Sequence, residues 1–257
     1  MLEVKNLSII YGPTKAVDNA SFSVGKNEIV GIVGESGSGK STIALSIMRL
    51  IYPPGRISSG EIIFNGRDLL KLAEKEMINI RGAKISMIFR DPFTSLNPVF
   101  KIGDQIAEVI SLHQGLNGKE AWEKAVEMLG TVKIRDAVGR AHDYPHQFSG
   151  GMLQRVMIAM ALACKPEILI ADEPTTALDV SIQSEILALL DELKIKYGFS
   201  IIYITHNFGI IKQICDRVIV MNKGKIVEEG KTGEVFSNPK ELYTKKLIDC
   251  LKVLNKV

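Results

Sequence analysis

Gly34-Glu35-Ser36-Gly37-Ser38-Gly39-Lys40-Ser41-Thr42 stands between the apolar run Ile29-Val30-Gly31-Ile32-Val33 and the helix-forming stretch Ile43-Ala44-Leu45-Ser46-Ile47-Met48. Strand, glycine-rich turn and helix in that order make a P-loop. Glycines let the backbone curl around a polyphosphate so that successive N–H groups point inward, while the positive end of the helix dipole faces the anion. On this reading Lys40 reaches the β- and γ-phosphates and the Ser41 hydroxyl ligates Mg²⁺.

Working outward, Leu2 to Val24 alternates as short antiparallel strands, and Ser59 to Gly66 adds a strand ending in an Asn-Gly turn. From about Phe93 to Cys164 the pattern becomes helical, with Ile102, Ile106, Val109 and Ile110 on one face and a second helix from Ala121 to Leu129 stopped by Gly130. Two apolar strands follow, Ile168 to Ala171 and Ser200 to Thr205, separated by a helix over Ser181 to Tyr197. That alternation predicts a parallel sheet. A hairpin turning at Asn222-Lys223-Gly224 and a polar helical tail from Gly233 complete the chain.

With 257 residues, 46% hydrophobic and 24% charged, the chain can bury one large core. No apolar run approaches the ~20 residues that cross a bilayer, and the N-terminus lacks a signal-peptide pattern, which predicts a cytoplasmic protein. Cys164, Cys215 and Cys250 lack metal-ligand spacing. A net charge of +3 gives no argument for nucleic acid.

Ile168-Leu169-Ile170-Ala171-Asp172-Glu173 delivers two carboxylates to the C-terminal edge of a strand, where ligands bind in open α/β sheets. Asp172 suits direct or water-mediated Mg²⁺ binding, and Glu173 could polarise the water that attacks the γ-phosphate. Upstream, Phe148-Ser149-Gly150-Gly151-Met152-Leu153-Gln154-Arg155 offers a helix cap at Ser149 and a second anion site at the Gly150 and Gly151 amides.

With that segment the chain resembles the ATP-binding cassette (ABC) ATPases, whose signature is LSGGQ. The resemblance implies an α/β fold: a RecA-like P-loop NTPase core over 1–90 and 165–230 with an antiparallel β subdomain, a helical subdomain over 91–164 and a tail over 231–257. It also implies a head-to-tail dimer with two shared ATP sites, where the partner's signature contacts the γ-phosphate. Tyr11 resembles the aromatic that stacks on adenine, although a tyrosine in a strand is often packing. Ala177-Leu178-Asp179 resembles the D-loop, whose Asp179 arranges the opposing site, and His206 in Thr205-His206-Asn207 resembles the switch histidine at the γ-phosphate.

Asp91-Pro92-Phe93-Thr94-Ser95-Leu96-Asn97-Pro98, Tyr144-Pro145-His146-Gln147 and Asn238-Pro239-Lys240-Glu241-Leu242-Tyr243-Thr244 look like the ATPases of peptide and nickel importers. The implied partners are a second ATPase subunit, identical or not, transmembrane permease subunits and, indirectly, a solute receptor, on the cytoplasmic face of the membrane. Many peptide-importer members extend further at the C-terminus than Val257, which leaves nickel or another small solute open. A soluble ABC ATPase of DNA repair or translation is the alternative; such proteins usually bring zinc modules, long coiled coils or fused cassettes.

Three positions depart from the family pattern. Met152 replaces the signature Gln and Phe148 the Leu, both mild changes. Arg90 stands where the family has the Q-loop glutamine, which contacts Mg²⁺ and the lytic water, and a guanidinium cannot offer an oxygen to a cation. The expectation is a cassette that binds nucleotide well and hydrolyses it slowly, or one in which Arg90 turns away to pair with an acidic neighbour such as Asp91.

Overall fold

The computed structural model describes residues 1–176 and 178–254. The chain opens with β1 (Leu2–Tyr11), β2 (Thr14–Val24), β3 (Ile29–Val33), α1 (Lys40–Ile47), β4 (Gly55–Phe64), β5 (Arg67–Asp68) and α2 (Glu74–Ile78). Next come β6 (Ile85–Ile88), α3 (Pro92–Ser95), α4 (Ile102–Gln114), α5 (Gly118–Thr131), α6 (Ala137–Ala141), α7 (Gly150–Leu162), β7 (Ile168–Asp172) and α8 (Val180–Tyr197). The last stretch holds β8 (Ser200–Thr205), α9 (Phe208–Ile214), β9 (Arg217–Asn222), β10 (Lys225–Lys231), α10 (Thr232–Ser237) and α11 (Leu242–Leu254). Two compact units divide these elements: Met1–Met77 with Ser200–Val257, and Ile78–Phe199.

In the first unit, β2, β1, β4 and β5 form an antiparallel sheet in that order, with Leu2 opposite both Val24 and Phe64. The strand expected from Ser59 begins earlier, at Gly55, because pairing with β1 extends it: Gly55 lies opposite Tyr11. A second set of strands runs β10-β9-β3-β8, with β3 parallel to both neighbours and β10 antiparallel to β9. Every residue of β3 and β8 is buried, as the unbroken apolar runs of strands covered on both faces require.

The polar helical tail expected after Gly233 is built of two helices. It folds as α10 and α11, interrupted near Asn238-Pro239, where proline lacks an N–H to continue the helix. The Glu228 carboxylate stabilises the interruption by accepting from the Lys240 and Glu241 amides at 2.7 and 3.2 Å.

The second unit carries the parallel pair β6–β7 and the helices. Asn117 and Glu120 form a reciprocal capping box that starts α5, and Trp122 of α5 lies over Gly103 of α4. On α8, Ile186, Leu187, Leu189, Leu190 and Leu193 are buried, each stabilising by roughly 1.5–3 kcal/mol relative to exposure. No helix among the described residues is long and apolar enough to cross a membrane.

Candidate functional site

In the first unit the phosphate loop leaves β3 directly after Val33, whose register partner on parallel β8 is Thr205. The loop and His206 therefore emerge side by side at the C-terminal ends of neighbouring strands. Gly39, the N-cap of α1, has φ 101°, and a Cβ there would lie 2.5 Å from the Ala16 carbonyl oxygen. Only glycine fits, because both the left-handed backbone and the close approach exclude a side chain. The first turn of α1 holds no acidic residue, so the positive end of the helix dipole at the loop is not offset by a nearby carboxylate of its own turn.

Lys40, the first residue of α1, is 5% exposed. Its Nζ donates to the Gly34 and Glu35 carbonyls at 2.8 Å each, with Ser38 Oγ at 3.5 Å. The cation is thus held along the inner side of the loop. Gly34 and Ser38 are buried, Gly39 and Thr42 half-buried, and Ser36, Gly37 and Ser41 exposed. His206 is exposed in the turn between Thr205, whose Oγ1 accepts from the Asn207 amide at 3.0 Å, and Asn207, whose side chain caps α9. Tyr11 ends β1 half-buried, and its ring covers Gly55 so closely that a side chain there would collide with the ring carbons.

In the second unit, Ile88 of β6 pairs with Ala171 of parallel β7. Two residues beyond each partner stand Arg90 and Glu173, and Arg90 Nε lies 3.2 Å from Glu173 Oε2. Asp172 and Glu173 are each 8% exposed, and Glu173 has φ 47°, an uncommon conformation for a residue with a side chain. Such strain costs of order 1–3 kcal/mol and needs support from its surroundings. Thr176 supplies some, its Oγ1 donating to Glu173 Oε2 at 3.1 Å and its amide donating to the Glu173 carbonyl at 3.3 Å. Sequence reading passed over Thr176; a threonine three residues after a carboxylate was its only signal. Asp91 is not the partner of Arg90: its carboxylate caps α3, accepting from the Phe93 amide at 2.9 Å.

Ser149 is the N-cap of α7 and accepts from the Met152 amide at 3.4 Å. A Cβ on Gly151 would come within 2.7 Å of Ile182, so the chain packs too tightly for a side chain, while Gly150 faces Leu178 and Phe93. Asp179 is the exposed N-cap of α8 and makes no cap bond to it. Ala177, the first residue of the expected D-loop, lies outside the described residues.

The phosphate loop of the first unit fits a magnesium nucleotide. The loop combines a positioned cation, a helix N-terminus with no acidic residue in its first turn and a glycine that admits no side chain. Mg²⁺ is typically held by one or two protein oxygens, with phosphate and water supplying the rest; the Ser41 hydroxyl in the first unit is a donor of that kind, and so, by itself, is the Asp172 carboxylate in the second. Among the described residues no group of three or more His, Cys, Asp or Glu could hold a metal by itself. Burial pushes the Cys164 and Cys215 thiols up, away from thiolate chemistry.

The family profile described as ABC transporter matches residues 17–176. The chain is 48% identical, over 99% of its length and 77% of the relative's, to the oligopeptide transport ATP-binding protein OppD of Salmonella typhimurium. It is 49% identical, over 98% of its length and 78% of the relative's, to the dipeptide transport ATP-binding protein DppD of Escherichia coli. Among solved structures, the ATP-binding cassette MJ0796, a dimer in a post-hydrolysis state bound to ADP and Pi, superposes with TM-score 0.79 at 30% identity, over 90% of this chain and 99% of that one.

Proposed function

The chain belongs to the ABC transporter family, and from that premise we propose that it is the ATP-hydrolysing subunit of an importer for dipeptides or oligopeptides. The observation that carries the ATPase reading is Lys40, buried against the phosphate loop at the end of β3. Relatives named for peptide transport, similar along nearly the whole chain, favour peptides over nickel and over a DNA-repair or translation role.

Lys40 balances the charge of the β- and γ-phosphates, and Tyr11 stacks on the base. Amides and hydroxyls of Gly34, Ser36, Gly37, Ser38, Gly39, Ser41 and Thr42 form the phosphate bed. Ser41 and Asp172 would hold Mg²⁺, which would supply charge neutralisation at the phosphate oxygens. Glu173 takes a proton from the attacking water, and His206 donates a hydrogen bond to the γ-phosphate. In a head-to-tail dimer, Ser149, Gly150 and Gly151 of one subunit complete the other's site, and Asp179 helps to arrange it. Arg90 holds the Glu173 carboxylate between turnovers, which slows hydrolysis without preventing it.

On this reading the protein sits on the cytoplasmic face of the membrane, bound to permease subunits through its helical segment, 91–164. Affinity purification from membranes tests this. A multi-span permease must accompany the chain, and peptide with its receptor must stimulate ATP hydrolysis in reconstituted vesicles. Recovery without any membrane protein would refute it.

A further inference from the structure

Tyr243 lies in the first turn of α11, half-buried, 208 residues from the phosphate loop in sequence. Its hydroxyl oxygen accepts the Glu35 N–H at 3.2 Å. The carbonyl of that same residue accepts from Lys40 Nζ at 2.8 Å. Glu35 is therefore held on both sides, its amide by the C-terminal helix and its carbonyl by the lysine that serves the phosphates. Burial pushes the Tyr243 hydroxyl up in pKa, the Glu35 amide opposing, which marks a polar group taken from water and repaid by one backbone bond.

The helix carrying this hydroxyl is itself anchored. Thr244 is fully buried and Ile248 3% exposed, and with Leu251 they fall at the i, i+4, i+7 spacing of one helix face. Leu251 reaches α9, its Cδ1 3.7 Å from where a Cβ on Gly209 would stand. Helix α9 begins two residues after His206. One helix thus touches both the lip of the phosphate loop and the element that follows the switch histidine.

We propose that α11 is a strap coupled to nucleotide binding, with Tyr243 as a positioning residue that fixes the Gly34-Glu35 peptide and so presents Lys40 to the phosphates. The proposal rests on the ATP reading above. Because coupling between two binding equilibria is reciprocal, a seated α11 raises nucleotide affinity and bound nucleotide holds α11 in place. A partner that displaces α11 would release nucleotide by the same linkage.

The test is Tyr243→Phe in the full chain, which keeps the ring and removes only the acceptor. Calorimetry with MgATP is expected to show affinity weakened about three- to tenfold, the range of one lost hydrogen bond, with KM raised and kcat within about twofold. In the wild type, ATP is expected to slow amide exchange in α11 as well as in residues 34–40. If wild type binds ATP and Tyr243→Phe binds it equally well, the proposal is overturned while the nucleotide reading stands, whatever the variant's melting temperature. Exchange in α11 that ignores ATP overturns it too. A wild-type chain that binds no ATP overturns both.

Discussion

Replacing Arg90 by glutamine removes a guanidinium whose Nε lies 3.2 Å from the Glu173 carboxylate. Two unit charges at that distance attract by about 5 kcal/mol at an effective dielectric of 20. The Arg90 side chain, however, is 62% exposed while that of Glu173 is 9% exposed, so solvent reaches one side of the pair. Exposed pairs retain only ~0.2–1 kcal/mol, and a hydrogen bond to a charged group retains ~1.5–3; this half-exposed pair lies between them, at about 1 kcal/mol. That attraction is given up as a proton arrives on the carboxylate, so it adds to the barrier. Removing it should raise kcat about fivefold. Thr176 Oγ1, 3.1 Å from Oε2, is expected to keep orienting Glu173, the proposed base, in the variant. ATP affinity should change less than about threefold, because Lys40, the lysine proposed to bind the phosphates, is untouched. Phosphate release at saturating ATP and Mg²⁺ measures the effect, and equal rates for the two proteins would refute the argument.

Lys40→Ala should weaken MgATP binding about 10- to 150-fold, the equivalent of one or two charge-assisted hydrogen bonds, and calorimetry showing unchanged affinity would remove the phosphate-loop assignment. Glu173→Gln should slow hydrolysis by about 10²–10⁴ and accumulate an ATP-bound dimer visible by light scattering; a monomer with undiminished turnover would contradict the shared-site mechanism. Burial raises the pKa of Glu228, but the Lys240 and Glu241 amides and the Lys240 charge outweigh it and hold the carboxyl below its ordinary 4.5. Its stabilising contribution is therefore complete above that ordinary value and disappears as pH falls through the lowered one. Glu228→Gln, which keeps one acceptor, should cost about 1 kcal/mol at neutral pH after allowance for solvent, and the gap in melting temperature should close in acid. A gap that widens in acid would reverse the sign of the argument.

The sequence alone determined the elements whose information is contiguous. Gly34 to Thr42 carries turn, cation and helix start in nine successive residues, and β3, β7 and β8 declare burial on both faces by unbroken apolar runs. Ser149 is readable as a cap for the same reason: its acceptor and the Met152 amide are three residues apart. In the tail, Asn238-Pro239 signals the break between α10 and α11, but that a carboxylate of β10, Glu228, accepts from the amides beyond it is decided only by the packed chain. The partner of Arg90 was a matter for tertiary structure. Neighbouring sequence offered Asp91, but that carboxylate is used by its own helix, and the parallel pairing of Ile88 with Ala171 brings Glu173 alongside instead. Tyr243 is the extreme case, since nothing local distinguishes its hydroxyl from that of any tyrosine on a helix. Residue type and spacing encode what a segment can do within a few turns of itself, whereas strand order and helix docking decide which distant groups share a hydrogen bond, and those are properties of the packed chain as a whole.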